Sequence, residues 1–90
     1  MSDNKSLAEQ IVELSIKTIR DEDEKEFDRV YDEVLSVIHM HASNGRFWIH
    51  MSFQKFETSP KILAGVAAKF RTKGFRINLL SHGVYEICWN

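Results

Sequence analysis

The 90-residue chain contains one cysteine, one proline and no apolar run near the ~20 residues that a membrane-spanning helix requires. A lone Cys88 excludes an internal disulfide and suits a reducing compartment. The opening "MSDNKSLAEQ" has no basic region followed by an apolar stretch, so we expect no secretory signal. These absences predict a cytoplasmic protein that has no membrane partner.

The sequence also lacks repeats, low-complexity segments and linkers, so we expect one domain over residues 1–90. Its composition, 43% hydrophobic and 28% charged, is ordinary for a folded globular chain. A chain of this length buries roughly 60–65% of its unfolded surface. That is enough for one modest core, but not for a core together with a deep catalytic cleft.

The charges are sorted along the chain although the net charge is only −1. Residues 1–45 hold eleven Asp and Glu against five Lys and Arg, whereas residues 46–90 hold two against seven. This predicts an acidic and a basic surface, which either attract each other within the fold or a dimer, or each serve a partner.

Two helices are expected in the first half. "SLAE" is a capping box in which Ser6 and Glu9 exchange hydrogen bonds. It opens a helix at about 6–19 with a wide apolar face. "RDEDEKE" then interrupts that face, and Asp21 with Glu24 forms a second cap-like pair, which starts a helix at about 22–43. No Gly or Pro separates the two, so one long helix remains an alternative.

The second helix carries an apolar stripe at three- and four-residue spacing and ends at "SNG". The stripe consists of Phe27, Val30, Tyr31, Val34, Val37, Ile38 and His41. A third helix, at about 59–73, begins at "TSP", where Ser59 is the cap and Pro60 the first helical residue. Its buried side is predicted to hold Ile62, Leu63, Val66, Ala67 and Phe70.

Three strands are expected, at about 46–53, 75–80 and 84–89. In the first, Phe47, Ile49, Met51 and Phe53 alternate with Arg46, Trp48, His50 and Ser52. The last two form a hairpin around a loop of residues 81–83. In that register Leu80 opposes Val84, and three apolar pairs share one face: Phe75–Trp89, Ile77–Ile87 and Leu79–Tyr85.

The order α-α-β-α-β-β predicts an α+β, two-layer domain in which a three-stranded antiparallel sheet packs its aromatic face against the helices. No motif for enzymatic chemistry is present: a serine elbow, a phosphate loop and a nucleotide-binding glycine fingerprint are all missing. Glu86 is expected to pair with Arg76 diagonally across the hairpin. We predict no catalytic residues, no cofactor and no small-molecule substrate.

A metal site is not expected either. "HMH" at 39–41 places its two histidines about 200° apart on a helix, so they cannot share an ion. Adding His50 and Cys88 would require the fold to bring them together with these histidines, and no ligand spacing supports that. Cys88 is expected to act as a small hydrophobic residue of a strand.

The candidate binding site is the open face of the sheet, where Arg46, Trp48, His50 and Arg76 are predicted to lie together. Three cations at the end of the third helix, Lys69, Arg71 and Lys73, would add electrostatic support. A protein partner or self-association suits this set, because an apolar centre ringed by charged groups resembles an interface. A nucleic acid is the alternative, since aromatic and guanidinium groups on a sheet stack bases and bind phosphates. Against it, the face offers one aromatic residue only and includes Glu86.

Residues 59–90, "SPKILAGVAAKFRTKGFRINLLSHGVYEICWN", resemble the ending of many small accessory proteins of tailed bacteriophages. Those proteins often place a short helix, a "KGF"-like cap and a hairpin that ends in apolar–x–Trp, here Lys73-Gly74-Phe75 and Ile87-Cys88-Trp89. The resemblance covers about a third of the chain and includes no catalytic or binding signature. It implies a non-enzymatic protein in the host cytoplasm that binds a component of the host or the virion.

Overall fold

The computed structural model describes residues 6–81 and 83–90. Along this part of the chain the elements are α1 (Leu7–Glu22), α2 (Glu24–Ser43), β1 (Trp48–Ser52), a 3-10 turn (Phe53–Phe56), α3 (Pro60–Thr72), β2 (Arg76–Ser81) and β3 (Val84–Cys88). The predicted order α-α-β-α-β-β and the three-stranded antiparallel sheet are confirmed. The 3-10 turn was not predicted, and it takes Phe53 out of β1 while keeping its ring in the core.

The junction of α1 and α2 is a sharp break, so the two-helix interpretation is confirmed. Its cap, however, is Asp23 rather than the predicted Asp21. Asp23 ends α1, and its side chain accepts a hydrogen bond from the backbone N–H of Glu26 at 3.3 Å. The Asp-x-x-Glu pattern thus occurs two residues later than predicted, and α1 continues to Glu22 instead of residue 19. At the other end of α1, the predicted Ser6–Glu9 capping box is present.

The core lies between α2, α3 and one face of the sheet. Its buried members are Phe27, Val30, Val34, Ile38, Ile49, Met51, Phe53, Phe56, Ile62, Val66, Ala67, Phe70, Ile77 and Ile87. The predicted stripe of α2 supplies four of them, and Tyr31 stacks on Phe70 with ring centroids 4.5 Å apart. His41 finishes the stripe half-buried, and its Nδ1 has no hydrogen-bond partner among the described residues.

The sheet order is β1-β3-β2, which makes the last strand of the chain the central one. Ile49, Ile87 and Ile77 form one apolar row across its inner face. The predicted pairs Ile77–Ile87 and Leu79–Tyr85 are confirmed. The predicted Phe75–Trp89 pair lies just outside the strands, because β2 begins at Arg76 and β3 ends at Cys88.

The predicted turn of the hairpin is wrong in one respect. Ser81, not Leu80, pairs with Val84, because a bulge at Leu80 shifts the register after Leu79. Ser81 therefore belongs to β2 and not to the predicted loop. Gly83 has the predicted left-handed conformation, φ 79°. His82, the middle residue of the predicted loop, lies outside the described residues.

Helix α1 packs against α3, but only along one of its sides. Ile16 and Ile19 lie against the core, and α3 approaches closely at Gly65, where a Cβ would lie 3.0 Å from Ile19 Cγ2. None of the sixteen described residues of α1 is buried. The wide apolar face predicted for this helix is therefore only partly covered.

A guanidinium clamp joins α2 to the segment that follows β1. Arg29 donates to Glu26 Oε1 at 2.8 Å, to Glu33 Oε1 at 2.8 Å and to the backbone carbonyl of Phe56 at 3.1 Å. The pKa of Glu26 is lowered from 4.5 to about 2, chiefly by the hydrogen bonds from Arg29 and then by one from Thr58. The clamp therefore depends on a carboxylate that stays ionised well into acid.

The assignment of Asp23 as the cap can be tested by comparing it with Asp21, the cap that the sequence pattern predicts. Replacing Asp23 by Ala removes the side-chain acceptor at the first turn of α2, which typically costs about 1 kcal/mol. Replacing Asp21 by Ala removes only the exposed Lys17–Asp21 pair, and surface pairs contribute about 0–1 kcal/mol. We expect urea unfolding to give a clearly larger loss of stability for Asp23→Ala. Equal losses would contradict the assignment of the cap.

The Glu26–Arg29 clamp predicts a pH dependence. A carboxyl group whose folded-state pKa lies below its unfolded value stabilises the fold above the unfolded value and loses that effect as the pH falls through the folded one. The difference in free energy of unfolding between the wild type and Glu26→Gln should therefore have its largest value above pH 4.5. It should disappear as the pH falls towards 2. Urea unfolding at a series of pH values measures it. A difference that stayed constant over this range would contradict the role of the charge.

Candidate functional site

The outer face of the sheet is the side that turns away from the core. Its side chains form three rows across the strands: Trp48–Cys88–Arg76, His50–Glu86–Asn78, and Ser52–Val84–Ser81. None of these residues is buried. The period-2 alternation that placed Ile49 and Met51 in the core therefore also placed the predicted Trp48 and His50 on an accessible surface.

One edge of this face is an ordered chain of three side chains. The indole of Trp48, 51% exposed, lies against the imidazole of His50, with ring centroids 4.8 Å apart and ring planes at 42°. His50 Nε2 in turn lies 3.4 Å from Glu86 Oε2. The contact with the Glu86 carboxylate limits the orientation of the His50 ring. The three groups therefore hold one another in place across β1 and β3.

The predicted pairing of Glu86 with Arg76 is wrong. Because β3 lies between the other two strands, Glu86 stands directly opposite His50 and makes its cross-strand contact there. Arg76 instead reaches the end of the chain, where its Nη2 donates to Asn90 Oδ1 at 3.1 Å and lies 3.4 Å from the Asn90 carbonyl. Nothing in the pattern of the hairpin identified Asn90 as a partner.

Cys88 lies at the centre of the first row, between Trp48 and Arg76, and its side chain is half-buried. Arg46 is exposed just before β1, where its backbone N–H donates to the His41 carbonyl at 3.1 Å. The neighbouring Phe47 was predicted on the core face but is 58% exposed, because β1 begins only after it. The four predicted residues of the face thus lie on β1, on β2 and at the entrance of β1.

The three cations predicted to give electrostatic support, Lys69 and Arg71 in the last turn of α3 and Lys73 just after it, make their contacts away from this face. Lys69 places Nζ 4.1 Å from the centroid of the Tyr31 ring, and Arg71 donates to the Ile77 carbonyl of β2 at 2.8 Å. Lys73 lines a shallow cleft of about 240 Å³ between α1 and α3, together with Lys17 and Arg20. Their closeness in sequence to the hairpin did not bring them to its outer face.

Other concave surfaces in the described part of the chain are open. One of them, about 530 Å³, lies where α2 and α3 begin, and it is lined by Asp23, Lys25, Glu26, Arg29, Glu57, Thr58, Ser59 and Ile62. Most of its charged groups already serve the cap and the clamp. Within residues 6–81 and 83–90, no three His, Cys, Asp or Glu side chains are grouped to hold a metal ion. Among the described helices, none is long and apolar enough to cross a membrane.

The chain was compared with known protein families, with curated proteins and with solved structures, and none of the three searches gave a match.

The accessibility of the outer face leads to a stability prediction that uses two neighbouring residues. Trp48→Ala should change the free energy of unfolding by less than about 1 kcal/mol, because half of the indole is already in water. Ile49→Ala, one residue further on the buried face, should cost about 2–5 kcal/mol. Urea unfolding of both variants measures the contrast. A large loss with Trp48→Ala would mean that the face is covered.

Proposed function

We propose that this protein is a small, non-catalytic binding protein that holds a protein partner on the outer face of its sheet. The observation that carries the proposal is the exposed indole of Trp48, on a sheet whose other face is filled by the core. Tryptophan and arginine are among the residues enriched at the positions that dominate binding energy at protein interfaces. Here Trp48 and Arg76 flank the half-buried Cys88 in one row.

The order already present in this face supports the same proposal. Binding is weakened by the entropy lost when mobile side chains are fixed at an interface, about 0.5–1.5 kcal/mol for each one. Trp48 lies against His50, His50 contacts Glu86, and Arg76 is hydrogen-bonded to Asn90. Part of that loss is therefore already incurred in the unbound protein.

The charges of the face favour a protein over a nucleic acid. Glu86, at the centre of the middle row, would lie close to any phosphate that Arg76 contacted. The three cations that would have extended a phosphate-binding surface make their contacts away from this face. A nucleic acid remains the second candidate, because Trp48 offers a stacking surface and Arg46 and Arg76 offer two guanidinium groups. Self-association through this face is the third.

We place the protein in the setting that its C-terminal third resembles, as an accessory or host-modulating protein of a tailed bacteriophage that acts in the host cytoplasm. A chain with one modest core and an exposed face whose side chains contact one another suits a role in which the protein acts by occupying a surface of its partner.

The test starts from the immobilised protein and an extract of the bacterial host. Wild type, Trp48→Ala, Arg76→Glu and the control Met40→Ala, which alters an exposed side chain of α2, are compared by quantitative mass spectrometry. We expect one protein to be retained by the wild type and the control and lost from both face variants. Titration with that purified partner should then show a dissociation constant raised at least about tenfold by Trp48→Ala. Equal retention by all four proteins would overturn the proposal.

A parallel titration separates the nucleic-acid alternative. Labelled single- and double-stranded oligonucleotides are titrated with the protein at two salt concentrations, and fluorescence anisotropy is measured. If the affinity for an oligonucleotide falls steeply with salt, as counterion release requires, the proposed partner becomes a nucleic acid instead of a protein. We expect no such binding.

A further inference from the structure

Helix α1 has a second apolar stripe that no described element covers. Leu7, Ile11 and Leu14 are 72%, 54% and 63% exposed, although each is a large aliphatic side chain. At 100° per residue they lie about 100–160° around the helix from Val12, which lines the groove between α1 and α3. The stripe is therefore separate from the side of α1 that packs against the rest of the protein.

We infer that this stripe is the contact surface of a homodimer in which α1 packs antiparallel against α1 of a second copy. The spacing carries the inference, because Leu7, Ile11, Leu14 and Thr18 follow one another at intervals of four, three and four residues. That is the spacing of a seam between two packed helices, narrower than the stripe of a helix that lies on a globular core. The inference uses a different surface from the sheet face of the proposed function and does not depend on it.

The charges along α1 favour a second copy over a lipid surface. Helices that lie on membranes are rich in Lys and Arg, which attract anionic headgroups. Residues 7–22 carry four carboxylates against two cations, so an anionic membrane would repel this helix. A second copy fits instead, since the same stripe on both chains satisfies the two-fold symmetry of the commonest protein dimers.

The same charges select the antiparallel orientation. A parallel pair would place the two Asp21 carboxylates together at a seam position, seven residues after Leu14. In an antiparallel pair Ile11 packs against Leu14 of the second copy and Leu7 against Thr18. Along the helix axes, Lys17 is then level with Ala8 of the second copy. The two Asp21 side chains lie at opposite ends of the interface. Four seam positions give an interface at the low end of the usual size range, so we expect a dissociation constant on the order of micromolar.

The test is the mass of the protein in solution, measured by sedimentation equilibrium from about 1 µM to about 500 µM, a range that brackets the expected dissociation constant. We expect a monomer–dimer equilibrium for the wild type. Leu14→Glu should raise the dissociation constant by about 100-fold or more, because each dimer would bury two unpaired carboxylates. The control Ser36→Glu, which adds the same charge to the exposed side of α2, should leave it unchanged, and circular dichroism confirms that both variants fold.

The orientation is measured with spin labels at Asp21→Cys in a Cys88→Ser background. Labels attached to an antiparallel pair would be separated by about 25 Å along the helix axes, whereas in a parallel pair they would lie about 10 Å apart. A long distance supports the inference, and a short one overturns the orientation.

Two outcomes would overturn the inference as a whole. A monomer at every concentration would show that the stripe does not pair with a second copy. A dimer that Trp48→Ala disrupts and Leu14→Glu does not would place the interface on the sheet face, and it would change the proposed function to self-association. A dimer disrupted only by Leu14→Glu leaves the sheet face available to its partner, so the two proposals can fail separately.

Discussion

The structure depends on one constraint. The apolar side chains of a 90-residue chain can cover only one face of a three-stranded sheet. Helices α2 and α3 fill that face, with Phe27, Phe70 and Ile87 fully buried at its centre. The stability of a domain of this size is a small difference between large opposing free-energy terms. Its core therefore cannot be divided between two faces of the sheet. The outer face of the sheet and one side of α1 are left in contact with solvent as a direct result.

Local periodicity made much of this fold predictable. The stripe of α2, the caps at Ser6 and Ser59, and the alternation around Ile49 and Ile77 each depend on residues close together in sequence. The same alternation identified Trp48 and His50 as residues of the accessible face. Such patterns are dictated by the geometry of single helices and strands, so they can be recognised without knowing which element lies next to which.

The errors arose where distant parts of the chain meet. Periodicity does not specify strand order. Because β3 is the central strand, Glu86 contacts His50 of β1 and not Arg76 of β2. The bulge at Leu80 satisfies the alternation as well as a regular hairpin would, so the pattern could not reveal it. For α1, an apolar helix side looks the same in sequence whether it faces a core or solvent. Finally, the position of Lys69 and Arg71 relative to the sheet depends on how α3 packs, which closeness to the hairpin in sequence does not specify.

The sorting of charge along the sequence is absorbed within the fold only in part. Most ion pairs of the described acidic half form within that half, as in the Arg20–Asp28 and Arg29–Glu26 pairs. Lys61 of α3 reaches back to Glu22 at 2.7 Å, and it therefore joins the basic half to the acidic one. The charge asymmetry is thus partly an attraction between neighbouring elements.

The contact between Arg71 and the Ile77 carbonyl has a consequence for the behaviour of the protein at high concentration. Strand β2 is an edge of the sheet, and an edge with free backbone groups is a template for strands of other molecules. Leu79 and Leu80 are both exposed, and burial of these apolar side chains would stabilise such pairing. Arg71 donates to the Ile77 carbonyl and so holds a charged group beside this edge strand, and charged side chains at an edge disfavour the addition of a further strand. A cation considered first for binding thus lies where a charge opposes edge-to-edge pairing of sheets.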